Sequence, residues 1–114
     1  MPLFALARFH RADVKPLYEA TYDAHMAFVI PQLDQVKLGG PLFDEHGEIV
    51  GSLAILEAED LAAVRVHHFE DPYTKAGIWD RVEINRLEVR KGELASGPEW
   101  RPSKPLSAAV LPRT

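Results

Sequence analysis

Residues 2–9, "PLFALARF", carry apolar side chains on both alternations of a strand, Leu3, Ala5, Ala7 and Phe9 on one side and Phe4 and Leu6 on the other. A second run, "EIVGSLAILEA", repeats this, with Ile49, Leu53 and Ile55 set against Val50, Ala54 and Leu56. A strand of this kind is stable only where both of its faces are covered, so the chain must build a sheet with apolar contact on two sides.

The segments between these runs decide what does the covering. Asp13 is placed to cap a helix with Pro16 in its first turn, along which Leu17, Thr21, Ala24, His25 and Phe28 recur at helical spacing while Glu19 and Asp23 face water. Pro31 closes or kinks it. "VKLGGPLF" and "EIVGSLAILEA" flank the turn composition Asp44-Glu45-His46-Gly47 and form an antiparallel hairpin. Asp60 caps a second helix running to about Phe69, and a last strand begins near Trp79. Its apolar parity switches from Val82 and Ile84 to Leu87 and Val89, which predicts a bulge at Asn85-Arg86. The order is βαββαβ, a ferredoxin-like α+β fold with a four-stranded antiparallel sheet and two helices on one face. The other face is left bare although strands 1 and 3 are apolar there, and a homodimer through that face is expected.

At 114 residues the chain makes one domain, expected over residues 1–90. From about Gly92 it carries four of its nine prolines and little periodicity, so residues 91–114 read as an irregular C-terminal arm, a candidate to pack on the partner subunit. The formal charge of −4, with scattered basic residues, argues against a general nucleic-acid binder. No run approaches the roughly 20 apolar residues of a membrane span, and no targeting signal stands out. The absence of cysteine excludes disulfides and thiolate chemistry and fits a cytoplasmic protein.

The stretch "FEDPY", Phe69–Tyr73, sets a carboxylate, a helix stopper and a phenol side by side just after the second helix. It is either helix punctuation or one wall of a site. The possible partner is His25, which falls on the inward stripe of helix 1. It is either a core histidine bonded to backbone or an acid/base group whose tautomer a carboxylate fixes. Asp71 is the candidate carboxylate. His25 lies roughly 16 Å along the helix from Val14, at about 1.5 Å per residue, so contact requires the segment after helix 2 to fold back. Gly39, Gly40 and Pro41 either start a strand or let a ligand approach closely. Ser52, in mid-strand, needs a polar partner. Tyr18 and Tyr22, four apart, either reach a pocket or pack at an interface. His67 and His68 diverge on their helix and the cluster Asp44, Glu45, His46 and Glu48 reads as a solvated turn, so no metal is expected. No phosphate-cradling glycine loop is present, and no cofactor is expected.

Taken in order, His25 with Met26-Ala27-Phe28, Gly40-Pro41, Gly51-Ser52 and Asp71-Pro72-Tyr73 followed by Ala76-Gly77 resemble the YciI-like (YCII-related) family over about residues 2–86. The resemblance implies a ferredoxin-like fold, a dimer of the α+β barrel type and a pocket centred on a histidine and an aspartate. It also implies, in one branch, similarity to dehydrochlorinases acting on chlorinated muconate-type intermediates of aromatic degradation. Carried over, it gives His25 as acid/base, Asp71 as its partner, and Ser52 and Tyr73 as pocket groups. The chain departs from many relatives at His10, where they carry aspartate, and at Tyr18 and Tyr22, where they carry arginine. Losing two arginine forks disfavours a dianionic muconate and favours a less charged aromatic or enol-type small molecule, with His10 and the tyrosines as its hydrogen-bonding groups. Three readings remain open: an acid/base enzyme for proton transfer or elimination, a non-catalytic ligand-binding or regulatory dimer, and a purely structural dimer.

Overall fold

The computed structural model describes residues 1–92; the arm expected over 91–114 lies, from residue 93 on, outside the described residues. Strand β1 (Leu3–His10) leads into helix α1 (Lys15–Val29) and a 3₁₀ segment (Ile30–Gln35). The hairpin strands β2 (Val36–Phe43) and β3 (Ile49–Glu57) follow, then helices α2 (Leu61–Glu70) and α3 (Pro72–Ala76) and strand β4 (Trp79–Leu87). The four strands are ordered β2-β3-β1-β4 and every pairing is antiparallel. This is the ferredoxin-like α+β topology, with α3 added between the second helix and the last strand.

Register fixes which side chains meet the helices. Phe4, Leu6 and Arg8 on β1 lie opposite Leu56, Ala54 and Ser52 on β3 and opposite Arg86, Ile84 and Val82 on β4. Phe4, Leu6 and Leu56 are buried with Val64 of α2, and Val82, Ile84 and Ala54 pack on that cluster. Leu3, Ala5, Ala7 and Phe9, together with Leu53 and Ile55, take the opposite parity and form the other face. Pro41 sits on β2, an edge strand, where its missing N–H costs no ladder bond. Gly51 is buried against the backbone of β1, and a Cβ there would overlap the Arg8 carbonyl oxygen.

Three local expectations are corrected. Asp13 does not cap α1: the cap position is Val14, without a side-chain cap bond, and Asp13 has a left-handed backbone (φ 60°) in the preceding turn. The inward stripe of α1 runs through Val14, Tyr18, Thr21, His25 and Phe28; Leu17 and Ala24 are exposed, because Val14 anchors the start of the helix and sets its rotation. The β1–β4 ladder is continuous through Asn85 and Arg86, and its register slips between Phe9 and His10, opposite the start of β4. The apolar switch after Ile84 instead reflects Leu87 pairing with Leu3 on the outer parity at the strand's last residue. Asp60 caps α2 as expected, accepting from the Ala63 N–H at 2.9 Å.

Candidate active site

Asp71 closes one helix and opens the next. It is the C-cap of α2, in extended conformation, and the N-cap of α3, where its Oδ1 accepts from the Tyr73 N–H at 2.9 Å. Pro72 follows at the first helical position, where a missing N–H is harmless. The short α3 turns the chain back onto α1 and ends at Gly77, whose left-handed backbone (φ 76°) suits glycine. FEDPY is therefore punctuation for two helices at once, ending α2 and starting α3.

That turn carries Asp71 to the middle of α1. The His25 Nδ1–H donates to Asp71 Oδ1 at 2.8 Å, since an ionised carboxylate can only accept. Asp71 is wholly buried, while the His25 side chain keeps 18 % of its exposure. His25 Nε2 has no protein partner among the described residues and is not among the sealed polar atoms, so this nitrogen reaches solvent.

A residue the sequence reading passed over completes the arrangement. Arg8, 4 % exposed, sets its guanidinium 2.9 Å from Asp71 Oδ2, a close ion pair whose angle falls outside hydrogen-bond geometry. A second guanidinium N–H donates to His68 Nδ1 at 3.3 Å, and the group lies 4.4 Å from the centre of the Trp79 ring. Trp79 Nε1–H donates to Thr74 Oγ1 at 3.0 Å, and the Thr74 hydroxyl donates to His68 Nδ1 at 3.3 Å. Accepting at Nδ1 makes His68 a neutral ring with its proton on Nε2. The signal for Arg8 was in the sequence: a lone charge on the inward parity of Phe4 and Leu6, which requires a buried counter-charge.

The electrostatics follow from burial and pairing. Burial alone would raise the Asp71 carboxyl, but the hydrogen bond from His25, the charge of Arg8 and the Tyr73 N–H together hold it below its usual value. Burial, reinforced by Arg8, pushes the His68 imidazole down. Burial likewise lowers His10, which disfavours its cationic form. The Tyr73 phenol is raised, chiefly by burial and then by Tyr18, and stays protonated.

The aromatic residues form a stack leading away from the pair. His25 lies on Tyr73 with ring centres 4.2 Å apart, and Tyr73 lies nearly parallel to Tyr18 at 5.0 Å. His10 sits between Tyr18 and Trp79, at 5.1 and 5.4 Å. His10 and Tyr18 also line an open cleft of about 730 Å³ between the β2–β3 turn and the start of α1, with Val14, Lys15, Phe43 and Val50. The Tyr73 hydroxyl and His10 Nε2 are buried without hydrogen-bond partners among the described residues.

Of the sequence-predicted site residues, the fold thus brings together His25, Asp71, Tyr73, Tyr18 and His10. Ser52 lies across from Arg8 on β3 and from Pro41 on β2, and its hydroxyl makes no hydrogen bond among the described residues. Gly40 pairs with Leu53 and falls on the parity facing away from the helices, open around its Cα. Tyr22 is about half exposed, outside the stack.

Comparison with solved structures gives a likeness to the 5-chloro-2-hydroxyhydroquinone dehydrochlorinase TftG of Burkholderia phenoliruptrix, in complex with 2,5-dihydroxybenzoquinone. The two chains share 29 % identity with a TM-score of 0.70, over 75 % of this chain and 92 % of that one. A Mycobacterium tuberculosis protein, Rv0793, matches in fold with a TM-score of 0.50 at 18 % identity, over 82 % of this chain and 99 % of that one. No curated protein matches in sequence. The model of the YCII-related domain matches residues 1–88, from before β1 to just past the end of β4, and the chain therefore belongs to the YCII-related domain family.

Proposed function

We propose that this protein is a small-molecule enzyme of the dehydrochlorinase type, in which His25 accepts a proton through Nε2 and Asp71 holds the ring by Nδ1. The observation that carries the reading is the 2.8 Å bond from His25 Nδ1 to a wholly buried carboxylate, with the other ring nitrogen left open. A carboxylate in this position fixes the tautomer and stabilises the imidazolium formed when the proton arrives. In an elimination, Nε2 takes a proton from the substrate, the electron pair flows toward the carbon that bears the halogen, and chloride leaves with the C–Cl pair. The net loss is HCl.

The cleft beside the stack is lined by the His10 and Tyr18 rings, against which a planar ligand can lie. Arg8 does not restore the absent arginine forks, because it is buried and engaged with Asp71 and His68. A hydroxylated aromatic or quinone-like substrate of low charge therefore fits better than a dicarboxylate, and the likeness to a dehydrochlorinase bound to a dihydroxyquinone supports this. Ser52 and Pro41, across the sheet from Arg8, belong to the outer part of the same reading.

The test is chloride release from chlorinated hydroxyhydroquinones by the wild type and by His25→Ala. General acid/base help is worth about 10²–10⁴ in rate, so the variant should lose that much in kcat while folding normally. Retention of activity within a few-fold of wild type would remove His25 from the chemistry. A ligand bound tightly by both and returned unchanged would favour the binding-module reading instead.

A further inference from the structure

We propose that Arg8 is the positioning residue of this site: its guanidinium occupies Asp71 Oδ2, so that the carboxylate stays a fixed acceptor presenting Oδ1 to His25. The role builds on the reading of His25 as proton carrier, although its test does not depend on turnover.

The argument starts from the cost of the charge. A carboxylate with no access to water is stable only if its charge is matched and its lone pairs are used. If His25 were the sole partner, the buried pair would be balanced only while it held a proton between its two members. The imidazole could then be neutral only at the expense of leaving a bare buried anion or passing its proton to Asp71. Arg8 removes that coupling. With a permanent cation 2.9 Å from Oδ2, Asp71 remains matched whether His25 is neutral or charged. The ring can then gain and lose a proton at Nε2 while Nδ1 keeps its acceptor.

The surroundings hold Arg8 to this task. Its fork is divided between Asp71 and His68 Nδ1, its plane rests by Trp79, and its backbone is pressed by Gly51. The titratable groups facing the carboxylate are few. β1 brings Arg8, α1 brings His25, α2 brings His67 and His68, α3 brings Tyr73, and β4 brings only the uncharged Trp79 ring. Burial, reinforced by Arg8, lowers both His67 and His68, so among these groups Arg8 is the one cation whose charge does not change with pH.

The experiment follows the Asp71 carboxyl by its 13C signal during acid titration of the full chain, in wild type, Arg8→Met and Arg8→Lys. In the wild type the carboxyl should remain ionised to below the usual value of about 3.9. A nearby opposite charge is worth roughly 1–3 pH units to a carboxyl, so Arg8→Met should bind the proton at least tenfold more tightly. Arg8→Lys should recover most of the difference, which a purely packing role for the side chain would not produce. A folded Arg8→Met with an unchanged Asp71 midpoint would overturn the assignment. So would a wild-type Asp71 that titrates at or above the usual value, a result that needs no variant to fold. If Asp71 responds as described and His25→Ala nonetheless keeps full turnover, the proton-carrier reading fails while Arg8 still controls the carboxylate.

Discussion

At the scale of single residues, Asp71 joins two helices, one strand and one imidazole through a side chain that never meets water. Its charge and the neutrality of His68 give stability a defined dependence on pH. The folded state holds His68 below its ordinary value, so as pH falls below about 6.5 the unfolded chain takes up the proton first and stability declines. The folded state also holds Asp71 below its ordinary value. Its contribution is complete above about 3.9 and disappears as pH falls further, through the folded value. Denaturant unfolding across this range should therefore lose stability in two stages, and His68→Gln should weaken the first stage selectively. A profile flat from neutrality down to about pH 4 would contradict the buried network. His25 and Asp71 could be read from the sequence as candidates because each is a polar residue where periodicity or punctuation draws attention. Arg8 is equally present in the sequence, on the inward parity of Phe4 and Leu6, but nothing local to it shows which buried carboxylate matches its charge.

At the scale of elements, α3 is what converts sequence neighbours into a site. Five residues from Pro72 to Ala76 return the chain to α1 and bring Asp71 level with His25. Strand boundaries, the Asp60 cap and the hairpin were legible, because apolar alternation and turn residues report local geometry directly. The rotation of α1 was not, since Val14 and Leu17 compete for the inward position and only packing against Tyr73 and Ile78 decides for Val14. The slip between β1 and β4 was misplaced for a similar reason: parity alone cannot distinguish a bulge from the outward-facing end of a strand. Gly51 gives the sharpest test at this scale. A methyl group there meets the carbonyl of Arg8, so Gly51→Ala should push β1 and β3 apart and cost about 1–3 kcal/mol, the usual range for overpacking. Urea unfolding measures this, and an unchanged midpoint would mean that the two strands are not so closely apposed.

At the scale of the whole molecule, the two faces of the sheet have different roles. One holds Phe4, Leu6 and Arg8 under the helices, and the other presents Leu3, Ala5, Ala7, Phe9, Leu53 and Ile55. We propose that a second copy of the chain covers this outer face, as the two-sided apolar pattern of β1 and β3 requires. Light scattering at micromolar concentration should give twice the mass of the chain, and Ile55→Glu should halve it; a wild type that is strictly monomeric would refute the dimer. The claim on which the functional account rests is narrower: His25 is held through Nδ1 and works through Nε2. The 15N spectrum of the histidine rings at slightly alkaline pH tests it most directly. The account predicts that His25 carries its proton on Nδ1 and leaves Nε2 bare, and that Asp71→Asn disturbs this preference. A His25 protonated on Nε2 with Nδ1 bare, in the folded wild-type protein, would contradict it.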